Sequence, residues 1–516
     1  MRRVLIANRG EIAVRIARGC HLLDLEAVAV YSEADATARH VRFADLAVCI
    51  GPAEPAQSYL DGARILEAAR RTGADAIHPG YGFLSESPDF ARAVEAAGLI
   101  WIGPPADVIA PLASKTAAKA VASQAGVPTA PSVVLELAMD AAALTKAAAQ
   151  VGYPLLVKPQ EGGGGKGMER VDGPDQLEAA VAASRRVALS AFASDKLFLE
   201  RYVERARHVE VQVLGDHHGE VIHLFERECS LQRRHQKVVE ESPCADLSAA
   251  EREAICESGR AFAARIGYVG AGTVEFLFDP VSRAHYFLEM NTRLQVEHPV
   301  SEVVVGIDLV AAQLRIARGE RIADMAALAA PSQRGHAVEL RIYAEDPAAG
   351  FVPTAGPILR ASWPAGPFVR VDSGYETGDE VSMYYDPMIA KIIVWGSDRP
   401  QALERARVAL GETIIHGVRT NVAMLLDLIA RDDVRAGAVH THLIDAIYAD
   451  GAPGLIDTLE PAALAVLAAA GPGGPMHTHN AASGGAVDAG EQGESLRDPW
   501  LALTGLRVGA DGGGES

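Results

Sequence analysis

Short apolar strands alternate with amphipathic helices over residues 2–115, and this alternation constrains the fold more than any other feature. The strand-like run RRVLIAN is followed by the helical run EIAVRIARGCHLL and the strand-like run EAVAVYSE, and later apolar runs are AVCIG, DAIHPG and LIWIGPP. Strands and helices in alternation predict an α/β fold with a parallel, doubly wound sheet. We therefore expect residues 8–11 and 78–87, which follow strands, to border a site.

The pattern changes twice further along the chain. A helical run, a strand, a glycine loop and a second strand occupy residues 116–205, and HVEVQVLGDHHGEVIHLFERE then predicts an antiparallel hairpin. A second pair of runs, TVEFLFD and AHYFLEMN, predicts another hairpin. Residues 331–446 mix short strands with a helix at ALERARVALGETI, which predicts an α+β continuation.

These changes predict four segments. The boundaries fall at 1–115, 116–330, 331–447 and 448–516. The last segment is rich in Ala, Gly and Pro, and residues 471–495 have the composition of a flexible linker.

Charge and cysteine content exclude several classes of protein. Lys and Arg number 48 against 67 Asp and Glu, a net charge of −19, whereas a duplex nucleic-acid binder needs a basic face. The five cysteines form no CxxC pair, which argues against a disulfide framework or a zinc knuckle and fits a reducing cytoplasm. The apolar runs are short for a signal peptide or a membrane span. We therefore expect a cytoplasmic protein with neither a nucleic-acid nor a membrane partner.

A glycine-rich loop follows the strand that ends in Lys158. The loop consists of Gly162, Gly163, Gly164, Gly165, Lys166 and Gly167. Backbone N–H groups without side chains can wrap a phosphate chain, and the lysines can neutralise it. The loop departs from the Walker A pattern, which would need Gly in place of Gln160. A flexible surface turn is the alternative.

Two carboxylates interrupt apolar strands that we expect to pair. Glu275 lies in TVEFLF and Glu289 in FLEMN, and Asn291 could add a neutral oxygen. Two inward carboxylates repel each other unless a cation lies between them, and Mg²⁺ accepts such oxygen ligands. The alternative is a solvated sheet face, which the flanking Phe and Leu residues disfavour.

Basic residues cluster at two places in this acidic chain. Arg233, Arg234, His235 and Lys237 form an island that can focus an anion; the alternative is a solvated run of charges. Just past the second hairpin, NTRLQVEHPVSE contains Arg293, Gln295, Glu297 and His298.

A guanidinium in this second cluster could bind a small oxyanion, and the carboxylate beside it could take a proton. Arg341 lies in a later strand, where the alternative to a functional role is an ordinary salt bridge with Glu339 or Glu345.

Seven segments, in order, resemble the biotin carboxylase component of biotin-dependent acyl-CoA carboxylases, a branch of the ATP-grasp enzymes. They are IANRGEIAVRI, DAIHPGYGFLSES, SKTAAK, GGGGKGM, QRRHQKVVEESP, EMNTRLQVEHPVSE and LRIYAEDP. The resemblance covers residues 1–446 and implies a Rossmann-like N-terminal domain, an ATP-grasp domain with a glycine-rich lid at about 130–205, and a C-terminal biotin carboxylase domain.

The resemblance also implies a role for individual residues. ATP would contact the glycine loop and an adenine hinge from Glu200 to Val203, together with Lys115, Lys158, His208, Gln232 and His235. Two Mg²⁺ or Mn²⁺ ions would bind Glu275, Glu289 and Asn291. Bicarbonate would bind Arg293, Gln295 and the Val296 amide. Glu297 would be the base, Lys237 would face carboxyphosphate and Arg341 would stabilise the biotin enolate; Glu86 has no assigned role.

The implied reaction is ATP-dependent carboxylation of biotin at N1′ by bicarbonate, through carboxyphosphate. No lysine follows Lys391, so biotin would be carried by another protein or domain. The implied partners are that carrier, a carboxyltransferase subunit, and further copies of the chain or a carboxylase complex. Pro159, Gln160 and Glu161 depart from the usual small residues at the base of the lid.

Other interpretations remain open. SLRDPWLALTGLRVG, near the C-terminus, resembles the start of the segment that follows biotin carboxylase in fused subunits, which suggests a split or truncated subunit with a flexible or docking tail. Alternative functions are an ATP-grasp ligase that activates a different carboxylate, a pyruvate carboxylase-like system, or a nucleotide sensor without catalysis.

Overall fold

A computed structural model describes residues 1–136, 139–160, 167–192, 194–449 and 451–453. The predicted loop residues Gly162, Gly163, Gly164, Gly165 and Lys166 lie outside the described residues, as does Glu161. So does the predicted tail from residue 454 onward.

The N-terminal segment folds as the predicted doubly wound parallel sheet. Its strands are β1 (Arg3–Ile6), β2 (Glu26–Ser32), β3 (Leu46–Gly51), β4 (Ala76–His78) and β5 (Ile100–Trp101), in the order β3-β2-β1-β4-β5. Its helices are α1 (Gly10–Leu22), α2 (Arg39–Phe43), α3 (Gly62–Thr72), α4 (Pro88–Ala96) and α5 (Ala106–Leu112). Val4 and Ile6 pack in one apolar core and Leu5 in another. This alternation buries both faces of β1.

The next segment forms a separate four-stranded antiparallel sheet. The helices and strands of this segment are α6 (Lys115–Gln124), β6 (Ser132–Leu135), α7 (Ala141–Val151), β7 (Leu155–Pro159), β8 (Glu169–Val171), α8 (Leu177–Phe192) and β9 (Leu197–Arg201). The strands lie in the order β6-β9-β7-β8, and the apolar faces of α7 and α8 pack against them.

Both predicted hairpins are present in the largest sheet. The elements from residue 207 to 317 are β10 (Arg207–Gly215), β11 (Val221–Arg233), β12 (Gln236–Ser242), α9 (Ala249–Arg265), β13 (Gly270–Phe278), β14 (His285–Asn291), α10 (His298–Val305) and α11 (Leu309–Ala317). Strand β10 pairs antiparallel with β11, and β13 pairs antiparallel with β14.

The C-terminal part of the described chain extends this sheet. Its strands are β15 (His336–Tyr343), β16 (Glu345–Asp346), β17 (Val352–Pro353), β18 (Gly356–Pro357), β19 (Arg360–Ser362), β20 (Val369–Ser373), β21 (Glu380–Val381), β22 (Met388–Gly396) and β23 (Ile414–His416). Its helices are α12 (Arg399–Glu412), α13 (Val422–Ala430), α14 (Asp432–Arg435) and α15 (Leu443–Ile447).

One eight-stranded sheet, in the order β14-β13-β10-β11-β12-β15-β22-β20, therefore runs across the segment boundary predicted at residue 330. Among the described residues, no helix is both long and apolar enough to cross a bilayer.

Candidate active site

A cleft of about 800 Å³ lies between the four-stranded and the eight-stranded sheet. It brings together the described residues to which the family resemblance gave a role, with the exception of Gly167; Arg233 and His298 of the two basic clusters do not line it. Its walls include Lys115, Lys158, Glu200, Val203, His208, Gln232, His235, Lys237, Glu275, Glu289, Asn291, Arg293, Gln295, Val296, Glu297 and Arg341.

Lysines lie around Glu200 at the end of the cleft that α6, β7 and β9 form. Helix α6 begins where Ser114 caps the Ala117 amide at 3.4 Å, which places Lys119 one turn beyond Lys115 on the same face. The Lys158 ammonium on β7 donates to Glu200 Oε1 on β9 at 2.6 Å, and Lys119 bonds the other Glu200 oxygen. Two ammonium groups thus share Glu200, and the ammonium of Lys115 lies close enough to feel the charge of Lys158. This concentration of positive charge favours an anion.

Burial lowers the pKa of Lys115, and the charge of Lys158 lowers it further. An anionic ligand between the two ammonium groups would reverse the second effect. The lysines at this end are therefore suited to a polyphosphate.

The base of the loop is held by backbone contacts. Gln160 donates its amide to the Lys196 carbonyl at 3.0 Å. Gly167 has φ +75°, and a β-carbon there would lie 3.2 Å from Pro159 and Val187. Only glycine adopts this conformation readily, so the far end of the predicted loop requires the residue it has.

Glu275 and Glu289 stand directly opposite each other on β13 and β14, as predicted. Burial raises the pKa of Glu289, and the charge of Glu275 raises it further. The carboxamide of Asn291 donates to Glu275 Oε1 at 2.8 Å. Two carboxylates and an amide are hard oxygen donors that fit Mg²⁺ or Mn²⁺. A cation between the carboxylates would remove their repulsion, so the residues fit the predicted metal site.

The Lys237 ammonium lies among three carboxylates. It donates to Glu210 Oε2 at 2.6 Å, to Glu275 Oε1 at 3.0 Å and to Glu297 Oε1 at 2.6 Å. Burial alone would lower the pKa of Lys237, but these three carboxylates raise it well above its ordinary value. Lys237 is therefore a fixed cation.

His208 reinforces this charged centre. Its Nε2 lies 3.3 Å from Glu275 Oε2 and 3.5 Å from Glu210 Oε2. Burial alone would lower the pKa of His208, but the Glu275 carboxylate raises it, and the result is about 9. Without a metal ion, His208 is thus a cation at neutral pH.

The predicted oxyanion residues lie beside the metal site. Arg293 Nε donates to Glu86 Oε2 at 3.0 Å and Nη2 donates to Asn291 Oδ1 at 3.0 Å. Gln295 Nε2 donates to Glu275 Oε1 at 2.9 Å. Polar donors with fixed directions therefore converge on one end of the cleft.

Arg341 pairs with partners other than those considered from the sequence. Its Nη2 lies 3.0 Å from Glu297 Oε2, and its Nε donates to Glu240 Oε1 at 2.5 Å. Burial alone would raise the pKa of Glu297, but Lys237 lowers it, and the net shift is downward. Glu297 is thus a carboxylate, the form in which it can accept a proton.

A second cavity of about 490 Å³ adjoins the cleft. The two share Arg293, Val296, Arg341, Tyr343 and Asp386, and the second cavity extends towards the ends of β1 and β4. The segments predicted there at 8–11 and 78–87 contribute Asn8, Arg9, Gly10, Glu11, Tyr81, Gly82 and Phe83.

Sequence reasoning gave no role to four residues that hold the site together. Arg227 is fully buried and donates to Glu210 Oε1 at 2.6 Å and to Gln295 Oε1 at 2.9 Å. The hairpin register would have indicated it, because Arg227 stands opposite Glu210. Helical spacing from Lys115 would have indicated Lys119. Glu86 lies in the segment 78–87 that was expected to border a site, but nothing local pairs it with Arg293. Likewise, nothing local pairs Glu240 with Arg341.

Known proteins resemble this chain over most of its length. Three family models match in succession: the biotin carboxylase N-terminal domain over residues 1–109, the carbamoyl-phosphate synthase L chain ATP-binding domain over 114–325, and the biotin carboxylase C-terminal domain over 339–446.

Two relatives differ in how much of their own length is matched. The alpha subunit of the mitochondrial methylcrotonoyl-CoA carboxylase of Oryza sativa subsp. japonica is 48% identical over 449 residues, which is 87% of this chain and 60% of that protein. A pyruvate carboxylase subunit of Methanothermobacter thermautotrophicus is 45% identical over 447 residues, which is 86% of this chain and 89% of that protein. The chain therefore spans about 60% of the length of its methylcrotonoyl-CoA carboxylase relative.

Solved structures of biotin carboxylases also resemble this chain over most of its length. The biotin carboxylase of Campylobacter jejuni, in a β,γ-ATP complex, has TM-score 0.82 and 41% identity over 86% of this chain and 98% of its own. The biotin carboxylase domain of the Hydrogenobacter thermophilus 2-oxoglutarate carboxylase, with MgADP and bicarbonate, has TM-score 0.80 and 42% identity over 86% of this chain and 97% of its own. The chain belongs to the biotin carboxylase family of ATP-grasp enzymes.

Proposed function

We propose that this chain carboxylates biotin in an ATP-dependent, C–N bond-forming reaction that uses bicarbonate. The observation that carries the proposal is the Arg341–Glu297 pair, at 3.0 Å, beside two adjoining cavities that share Arg341. One cavity has the groups needed to activate bicarbonate, and the other has room for the acceptor.

The nucleotide binds at the lysine end of the cleft. Lys115, Lys119 and Lys158 neutralise its phosphates, with the glycine loop closing over them, and the segment from Glu200 to Val203 borders the base. His208, Gln232 and His235 line the same wall. Bound at Glu275, Glu289 and Asn291, two Mg²⁺ or Mn²⁺ ions would stabilise the charge that develops on the transferred phosphoryl group.

Bicarbonate binds to Arg293 and Gln295, beside the Val296 amide. Glu297 takes its proton, and the oxygen that results attacks the γ-phosphorus of ATP, so that ADP leaves and carboxyphosphate forms. Lys237 faces this product as a fixed cation. Exclusion of water by the closed loop protects the labile product.

Carboxyphosphate breaks down to CO₂ and phosphate next to biotin. The ureido nitrogen N1′ is a weak nucleophile until it loses its proton. Transfer of that proton to the phosphate released from carboxyphosphate places negative charge on the ureido oxygen, which Arg341 is positioned to stabilise. N1′ then attacks CO₂, and carboxybiotin forms.

Further partners follow from the same proposal. The relatives are named as subunits of carboxylases, so the biotin carrier and the carboxyltransferase would be other proteins or domains, in a homo-oligomer or a larger complex. An acyl-CoA is the proposed final acceptor. The match to 89% of a pyruvate carboxylase subunit favours pyruvate as a second candidate.

Release of ADP tests the reaction. We expect release that requires Mg²⁺ or Mn²⁺ and bicarbonate and that rises severalfold when free biotin is added. Release that is indifferent to bicarbonate and biotin, but stimulated by another carboxylate, would instead support a different ATP-grasp ligase. Nucleotide binding with no turnover would support the sensor alternative.

A further inference from the structure

Glu240 is a buried carboxylate that none of the steps above uses. It lies on β12, is 0% exposed, and accepts a hydrogen bond from Arg341 Nε at 2.5 Å through Oε1. Its other oxygen, Oε2, is buried and has no hydrogen-bond partner among the described residues. Burying a charge destabilises the folded protein unless neighbouring groups compensate that charge. The buried position of Glu240 next to Arg341 therefore points to a function.

Glu339 stands directly opposite Glu240 across the β12–β15 ladder. It is also 0% exposed, and neither of its oxygens has a partner among the described residues. Burial raises the pKa of Glu339 well above its ordinary value; Lys391 opposes the rise and Glu240 adds to it. Glu339 therefore favours its neutral form more than an exposed glutamate does, so that the negative charge of the pair can lie on Glu240.

Two carboxylates, Glu240 and Glu297, contact the guanidinium of Arg341. The group is planar and rigid, so holding Nε against Glu240 fixes the directions of both terminal nitrogens. One of these, Nη2, is shared: it contacts Glu240 Oε1 and also lies 3.0 Å from Glu297 Oε2. Without the negative charge of Glu240, the ion pair with Glu297 would dominate, and Arg341 would move towards the base.

We propose that Glu240 is the positioning residue for Arg341 in carboxyl transfer. It holds Nε and shares Nη2 with Glu297. In this way it fixes the direction in which the guanidinium faces the ureido oxygen of biotin, and it limits how far Arg341 neutralises Glu297. This inference rests on the proposed function, because it gives Arg341 its role at the biotin oxyanion.

The protonation state of Glu240 can be followed through the pH dependence of carboxylation. Burial raises the pKa of Glu240 to about 7; Arg341 opposes the rise and Glu297 adds to it. As pH falls through about 7, Glu240 takes a proton, its hold on Arg341 weakens, and carboxylation slows. The charged or titratable groups that act on Glu240, or on which it acts, are Arg341, Glu339 and Tyr343 on β15, Glu297 before α10, Lys237 on β12 and Cys229 on β11.

A pair of matched variants tests the proposal. Glu240→Gln keeps the shape and removes the charge, and Glu339→Gln makes the same change at the opposed buried position that does not contact Arg341. We expect E240Q to lower biotin-dependent turnover by about 10²-fold and to leave the KM for ATP within about twofold. We expect turnover of the wild type to decline below pH 7, and E240Q to lose this decline. We expect E339Q to retain wild-type turnover and pH profile.

Several results would overturn the inference. One is an E240Q protein with the turnover and pH profile of E339Q; another is a parallel loss of ATP affinity and turnover. If E240Q does not fold, Glu240→Asp keeps the charge but shortens its reach; retention of full turnover by E240D would then contradict the role, and lowered turnover with an unchanged KM for ATP would support it. Absence of biotin-dependent turnover in the wild type would refute the proposed function and this inference together.

Discussion

The two ends of the cleft balance their charges differently. At the end that contains the base, cations and carboxylates are already paired, as Lys237 on β12 is with Glu210 on β10 and with Glu297 before α10. At the nucleotide end, Lys115, Lys119 and Lys158 come from a helix and a strand, and two of them share Glu200.

The difference indicates how each end works. The base end is preorganised, so substitutions there should lower the turnover rate and leave ATP affinity unchanged. The nucleotide end carries surplus positive charge that a polyphosphate would complete, so its residues should act on affinity.

The largest effect is expected where the two ends meet, at the metal site. Glu289→Gln removes one charged ligand opposite Glu275 and should lower turnover by about 10³-fold. Glu257→Gln, at an exposed helix position paired with Arg260, is the matched control and should retain activity. ADP release at saturating Mg²⁺ is the measurement, and near-normal turnover in E289Q would refute the metal assignment.

The base end should respond in turnover alone. Arg341→Ala removes the cation at the ureido oxygen and should slow biotin carboxylation by about 10² to 10³-fold. The KM for ATP should stay unchanged, because Arg341 lies away from the lysines. Weakened ATP affinity with normal carboxylation would show that Arg341 acts at the nucleotide end, and it would contradict the difference between the two ends of the cleft.

The nucleotide end should respond in affinity. Glu200→Gln removes the carboxylate that orients Lys119 and Lys158, and we expect the KM for ATP to rise by about tenfold with turnover at saturation nearly unchanged. Steady-state kinetics with varied ATP and fixed bicarbonate measures both quantities. A fall in saturated turnover with unchanged KM would show that this end is as preorganised as the other.

The smallest effect concerns stability. The pKa of His208 is raised from 6.5 to about 9, so its charge stabilises the metal-free protein below pH 6.5, and this contribution is lost as pH rises through about 9. Thermal melting between these two pH values should show a fall in Tm that is larger in the wild type than in His208→Asn. Equal falls would indicate that His208 is uncharged.

Local patterns predicted the elements that carry the chemistry. Period-two alternation located β13 and β14, and with them the opposed Glu275 and Glu289. The ordered motifs located the residues that the cleft brings together. Such signals are short-range, because strand periodicity and turn chemistry extend over a few residues.

Pairing between strands that are far apart in the sequence could not be predicted from such local patterns. Strand β12 pairs with β15 nearly a hundred residues later, with Glu240 opposite Glu339, and no local pattern encodes that register. For the same reason the sequence suggested Glu339 or Glu345 as partners of Arg341, whereas Glu240 and Glu297 hold it. The predicted segment boundaries remain predictions, and so do the roles of the individual site residues.

Transfer of label from radioactive bicarbonate to free biotin tests the central claim most directly. The protein is incubated with ATP, Mg²⁺, labelled bicarbonate and biotin, and the labelled product is separated from bicarbonate and compared with the ADP released. The account predicts acid-labile label on biotin that requires ATP and does not exceed the ADP formed. ADP release without labelled biotin, or labelling that proceeds without ATP, would contradict it.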